Sequence, residues 1–406
     1  MEIRDTIGLL LGLLLIATLI NPLARHIRLP FAALLVLVGY VGAEIFTGLG
    51  MDTGLRAPLF GDLVFYVFLP ILVFEAGYHI DLPQLLRNLP IVLIFALLLM
   101  PLSTLAVGAL IYYGIGHNAG FPWVAGLLCG ALLASTDPGA IAEPLRHLGV
   151  PERLLVLLEG ESLFNDATTV VLFSLILALA LSPDTAVSTA DLFSRFAWLF
   201  VAGAVLGLAV GALTALLMRL VGDPVVQAGI SLIGAYAAYI VADHWLSASA
   251  VTAVLFCAVL LGQIDRRSRN GPDFVNQLWY FLAYLGNALL FLLMGMTITM
   301  AMFTERWLAM LIGIGAVLLI RALVVYGLLG MHAVAATRFG GNPVPSGHRS
   351  ILLWGGLRGA VTLALALSLP VEIPYWWTIQ SIAFGVVLFG LFGQAPLALW
   401  GLTRKI

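Results

Sequence analysis

The chain has 406 residues, of which 62% are hydrophobic and only 10% charged, with a mean hydropathy of +1.07. A soluble globular domain carries about 25% charged residues to maintain its polar shell, so a water-facing globule is excluded and lipid must be the solvent for most of this chain. The net charge of -2 sums over loops on both sides of a membrane and identifies no partner. The first apolar run, Ile7 to Ile20, lacks a small-residue cleavage signature and leads into a second apolar run, so it is expected to remain in the protein. Cys129 and Cys257 both lie in apolar runs without a metal-ligand neighbour, and are expected to be small buried hydrophobes rather than a disulfide.

A membrane-spanning helix needs about 20 mostly apolar residues. Polar or Pro/Gly-marked breaks divide the chain into thirteen candidate spans: 6–24, 31–50, 60–79, 91–114, 122–146, 151–181, 192–218, 225–245, 248–264, 274–302, 307–334, 348–369 and 375–402. The positive-inside rule gives an independent check on that count. With the loop after span 1 taken as cytoplasmic, the cytoplasmic side collects Arg25, Arg28, Arg87, Arg146, Arg153, Arg219, Arg266, Arg267, Arg269, Arg338, Arg349, Arg404 and Lys405. The opposite side holds only Arg4, Arg56, Arg195 and Arg306. A miscounted span would scramble this bias. The expectation is an all-α polytopic membrane protein with 13 transmembrane helices, its N-terminus outside and its C-terminus cytoplasmic. Short loops and a single lysine among the basic residues suit a prokaryotic inner membrane.

Ionisable groups inside a span cost several kcal/mol (about 3 on insertion scales) unless paired or hydrated, so each marks a functional site by default. They are Glu75, Asp137, Glu161, Asp166, Arg321 and Arg358. Glu44, Glu159 and Asp243 sit nearer helix ends, where snorkelling to water explains them. The histidines lie at or near expected loop ends, with His79 and His147 as candidates for tuning a pH response.

Asp137 falls in mid-span and is followed by Pro138 and Gly139. Proline removes a backbone donor and disfavours helix in the residue before it, so span 5 is expected to open at Thr136–Asp137. Broken backbone at membrane depth is tolerated only where it packs in protein or lines a cavity. In the next span, Ser162 and Asp166 are four residues apart and share a face, with Asn165 beside them. A hydroxyl and a carboxylate supply hard oxygen ligands of the kind small cations take. Span 12 carries Gly355, Gly356 and Gly359 around Arg358. One interrupted span in each half points to two inverted repeats, with discontinuous helices 5 and 12 crossing at the site. An ion pair between Arg358 and Glu161 would explain two otherwise costly buried charges.

The motifs STDP at 135–138, GESLFND at 160–166, FEAG at 74–77 and GGLRGAV at 355–361 resemble the monovalent cation/proton antiporter superfamily, specifically its NhaP-type sodium/proton antiporters. The resemblance covers nearly the whole chain. It implies a core domain of 91–181 and 307–402, a dimerisation domain of 1–90 and 182–306, a homodimer, and an elevator-like motion of the core. It implies that Asp166 binds the ion and the proton, with Ser162, Thr136 and Glu75 as further cation ligands, partly through water. Asp137 and Asn165 then position the site, Glu161 and Arg358 form the core ion pair, and Arg321 is a candidate modulator. The Asn165–Asp166 pair, where relatives of another type carry two aspartates, resembles the electroneutral one-for-one form. No cofactor and no nucleic-acid partner are implied; Na+ or Li+ and H+ are the substrates and the bilayer is the surroundings.

The expected mechanism is competition. Burial disfavours a bare carboxylate, and a bound cation or a proton relieves that cost, so only the loaded site crosses the membrane. Potassium/proton exchange on the same fold is the first alternative, since carboxylate, hydroxyl and carbonyl oxygens suit both ions. An organic-anion symporter is a second, disfavoured by three acids close together. A cation channel would need filter segments, and an enzyme a catalytic set, that the chain lacks.

Overall fold

The computed structural model describes residues 30–48, 61, 63–116, 120–137, 145–146, 150, 152–181, 188–268, 274–339 and 346–398, with 8, 11–12 and 14–20 from the first expected span. Among them all regular structure is helical. The principal helices are α1 (Phe31–Gly48), α2 (Leu69–His79), α3 (Leu82–Leu93), α4 (Met100–Ile115), α5 (Trp123–Ala134), α6 (Glu152–Leu181) and α7 (Thr189–Leu220). They continue with α8 (Pro224–Ile240), α9 (Ala250–Ser268), α10 (Phe274–Thr297), α11 (Met300–Phe339), α12 (Ser346–Trp354), α13 (Ala360–Leu367) and α14 (Trp376–Phe389). Seven described helical segments are long and apolar enough to cross a membrane, and an eighth if the arms Val64–His79 and Leu82–Leu89, bent by 88°, count as one span. This is an integral membrane protein.

Local chemistry sets the helix ends. Ser188 accepts the backbone N–H of Asp191 at the start of α7, at 3.1 Å. Asp223 accepts those of Val225 and Val226 at 2.8 and 3.3 Å, with Pro224 at the first helical position of α8; both are ordinary N-caps. At the C-terminal end of α2, Arg266 of α9 donates from Nη2 to the carbonyls of Tyr78 and Ile80 at 2.7 and 2.6 Å. A cation on freed carbonyls is favoured by the helix dipole. The kink in α11 lies at Arg306, whose φ of -124° and ψ of 15° leave the helical region.

The helices pack as two groups. In one, α4 lies against α5 and α11, and α14 against α11, α13 and α5; in the other, α7 packs on α9, α1 on α10, and α2 on α9 and α10. The long helix α6 touches both. Contact between α4 and α5 is close because Gly130 lacks a side chain: a Cβ there would sit 2.1 Å from the Thr104 carbonyl oxygen. Cys129 and Cys257 are free and buried, as their apolar surroundings imply. On α7, Phe193, Val205 and Leu220 are 73%, 62% and 75% exposed, an apolar surface too continuous for water and suited to lipid or another membrane helix.

Candidate cation site at the crossing of two broken helices

Two of the expected breaks are present. Helix α5 stops at Ala134, and Ser135 turns out of it with φ -56° and ψ 143°, leaving 135–137 non-helical. Pro138 and Gly139 lie outside the described residues. Helices α12 and α13 are separated by Gly355 and a non-helical stretch at 356–359. The two broken segments meet, since the backbone N–H of Asp137 donates to the Leu357 carbonyl at 2.7 Å. Gly359 is required here, because a Cβ would lie 1.9 Å from Asp137 Oδ2.

Each broken segment answers the exposed backbone of the other. The carbonyl end of α5 carries a partial negative charge, and Arg358 donates from Nη1 to Ala134 O at 2.6 Å and to Ser135 O. Asp137 lies against Gly359 at the start of α13, where free N–H groups favour an anion. The carbonyls freed at the end of α12 are also met: Arg321 donates from Nη2 to Leu352 O at 3.0 Å, and Gln394 donates to Trp354 O at 3.0 Å. Gln394 reaches Leu353 O and Gly356 O as well, each at 3.4 Å. Without these donors the broken backbone would stand unsatisfied at membrane depth, at a cost of several kcal/mol (about 2–7) for each group.

Helix α6 brings the acid to this crossing. Ser162 donates to the Thr136 carbonyl at 2.5 Å. Asn165 donates from Nδ2 to Thr136 Oγ1 at 3.4 Å. The Asp166 carboxylate accepts from Ser135 Oγ, and Asp137 and Arg358 are near enough to act on its charge. The structure therefore gathers Thr136, Asp137, Ser162, Asn165 and Asp166 around one point. Carboxylate, hydroxyl and backbone carbonyl oxygens together make a donor set for a small hard cation. Glu75 is not among them. It faces His79 of its own helix, with Oε1 3.1 Å from Nδ1, and His79 Nε2 in turn contacts Asn276 Oδ1.

One expectation is corrected. Glu161 does not pair with Arg358; its carboxylate is held at both oxygens by Arg321 of α11, through Nη1 to Oε1 and through Nη2 to Oε2 at 3.1 Å. The reason is direction. Arg358 stands in the gap between α12 and α13 and extends its guanidinium onto the α5 carbonyls, while Glu161 faces α11. Arg321 is thus a structural partner of Glu161 and of the α12 carbonyls. Sequence reasoning also passed over Ser135 and Gln394. Ser135 was visible as the first residue of STDP, but nothing local links Gln394 to a helix end some 40 residues before it.

A cavity of about 940 Å³ opens between the two helix groups, lined by Val170 and Ser174 of α6, Trp198 of α7, Tyr239 of α8, and Trp376 and Gln380 of α14. Val170 is four residues after Asp166, hence on the same face of α6. Arg195, Asp243 and Glu372 give this opening its charged rim.

Comparison with known proteins agrees with this architecture. The family model described as sodium/hydrogen exchanger, transmembrane, matches residues 11–400. The chain is 34% identical over 382 residues to the Na(+)/H(+) antiporter ApNhaP of Aphanothece halophytica, covering 93% of this chain and 70% of that protein. It is 30% identical over 422 residues to the Na(+)/H(+) antiporter NhaP of Pseudomonas aeruginosa, covering 99% and 96%. The structure of the sodium proton antiporter MjNhaP1 from Methanocaldococcus jannaschii superposes with a TM-score of 0.81 at 20% identity, over 100% of this chain and 99% of that one. The chain belongs to the transmembrane sodium/hydrogen exchanger family.

Proposed function

We propose that the protein exchanges one Na+ or Li+ for one H+, electroneutrally, with Asp166 as the group that takes either ion. The observation that carries this reading is that Asp166 bonds the Ser135 hydroxyl and Ser162 the adjacent Thr136 carbonyl at a crossing of two broken helices. Both similar antiporters are named for Na+ and H+, which supports sodium over potassium.

The neighbours of Asp166 support this stoichiometry. Asn165 is an amide and cannot titrate. Glu161 and Arg321 are paired and buried, and Asp137 lies against a helix start. That leaves one carboxylate whose charge changes, so one cation replaces one proton and the site is neutral whichever it carries. Asp166, Ser162 and the Thr136 carbonyl are the direct ligands of this reading, Asp137 and Asn165 their positioning groups. Glu75, which faces His79, enters this reading as a ligand through water.

The same reading takes 13 transmembrane helices in two inverted repeats, with the helices around 135–137 and 356–359 as the discontinuous pair. The packing into two groups supports a core of 91–181 and 307–402 that moves as an elevator against a dimerisation part of 1–90 and 182–306, and the exposed apolar face of α7 supports a homodimer. The cavity beside α6 is then the water-filled approach from the outer side, in an inner membrane with the N-terminus out and the C-terminus in.

The test is transport by purified protein in tight liposomes containing a pH dye, with Na+, Li+, K+ or choline added outside and the membrane potential clamped or free. Proton movement with Na+ and Li+, absent with choline and indifferent to voltage, is the expected result. Voltage dependence would overturn electroneutrality, and a response to K+ alone would change the ion.

A further inference from the structure

A second and much smaller cavity of about 30 Å³ is walled by residues of the crossing and of α11. Among its walls are Ser103, Glu161, Asn165, Arg321 and Arg358. Two of these residues each carry a buried polar atom with no partner among the described residues: Asn165 its Oδ1 and Arg358 its Nε. Their residues are only 4% and 6% exposed. Burying a polar atom without a hydrogen bond is costly, and here one acceptor and one donor stand orphaned on residues that wall one void.

The pairing of types identifies the occupant. A sodium ion would meet the Arg358 N–H and the Arg321 guanidinium, which repel it. A chloride would suit those donors but would face the Asn165 oxygen. A molecule that both donates and accepts satisfies both atoms, and a void of about 10–15 Å³ already admits one water. We propose that this cavity is a resident-water site, in which one water accepts the Nε–H of Arg358 and donates to Oδ1 of Asn165. The Glu161 carboxylate and the Ser103 hydroxyl are at hand for its remaining bonds.

The water acts as a positioning element. Arg358 is anchored through Nη1 on the carbonyls of Ala134 and Ser135. A water on its Nε fixes the Asn165 amide from behind, and so directs Nδ2 at Thr136 beside Asp166. The role, though not the site, rests on the reading of Asp166 as the ion carboxylate.

The experiment is a density map of the full-length protein that shows ordered water, recorded also with bromide replacing chloride. A peak within hydrogen-bond reach of both atoms and without bromide anomalous signal is expected. A bromide signal there, or a direct Asn165–Arg358 contact with no peak, overturns the site, and this readout does not depend on transport. Val317→Ile adds bulk to the cavity wall, while Val325→Ile adds the same bulk to α11 at a buried position outside it. Val317→Ile is expected to remove the peak and to raise the Na+ half-saturation about tenfold with little loss of maximal rate, the scale set by one unpaired buried group. Equal half-saturation in both variants would overturn the positioning role. Loss of sodium response in the unmutated protein with the peak intact would instead fault the assignment of Asp166.

Discussion

Glu159 and Glu161 stand two residues apart on α6, and each meets one arginine. Arg146 and Glu159 approach to 2.5 Å with side chains 61% and 28% exposed. Arg321 and Glu161 pair with both side chains only 7% exposed. The chemistry is the same and the consequence is not. Water solvates either partner of the outer pair once the other is gone, whereas the inner pair has no such substitute. Successive residues on a helix turn by about 100°, so two steps suffice to move a carboxylate from the rim to the core. Burial, not the presence of a bridge, decides what the charge is for.

Four substitutions test this contrast between rim and core. The largest effect belongs to Asp166, whose carboxylate accepts from Ser135 rather than from an arginine. Asp166→Asn is expected to abolish cation-driven proton movement in liposomes while the purified protein keeps its melting profile; near-normal transport would remove Asp166 from its role. Next, Glu161→Ala leaves Arg321 buried and uncompensated, which costs about 3–5 kcal/mol in comparable pairs. Chemical denaturation in detergent should register it, and a Glu161→Met/Arg321→Met double variant should recover most of the loss. If the double variant is no more stable than the single one, the inner pair is valued for more than mutual neutralisation.

A smaller effect is expected from Gly359→Ala, whose new methyl would overlap the Asp137 carboxylate. Overpacking costs about 1–3 kcal/mol, and because Asp137 is displaced, the Na+ half-saturation should rise along with the loss of stability. Unchanged sodium affinity would mean that the crossing tolerates a shift of Asp137. The smallest effect is that of Arg146→Ala. Exposed pairs contribute about 0.2–1 kcal/mol, so its melting temperature and transport should stay close to those of the unmutated protein. A loss as large as that of Glu161→Ala would overturn the contrast between rim and core.

Much of the site was legible because its signals are local. Pro138 after Asp137 and the glycines around Arg358 announce broken helices through backbone sterics alone. The four-residue spacing of Ser162 and Asp166 announces a shared face through helix geometry. Ion-pair choice had no such signal. Two arginines, Arg321 and Arg358, each offered a buried cation to Glu161, and sequence spacing across 160 or more residues favours neither. Gln394, which holds three carbonyls of the α12 end, was silent for the same reason. Glu75, in a motif that suggested a ligand, is turned to His79 by a neighbour one helical turn away.

The solvent, the helical class and the positions of the two breaks are set locally, since apolar composition and proline or glycine sterics act within a few residues. So is the grouping of hydroxyl, amide and carboxylate on one stretch of α6. Long-range packing is what brings Arg358 to the carbonyls of α5, Arg321 to Glu161, and Asn165 and Arg358 to the wall of one small void. Those outcomes depend on where side chains from distant helices end, to within a fraction of a hydrogen-bond length, and no local pattern encodes such a distance.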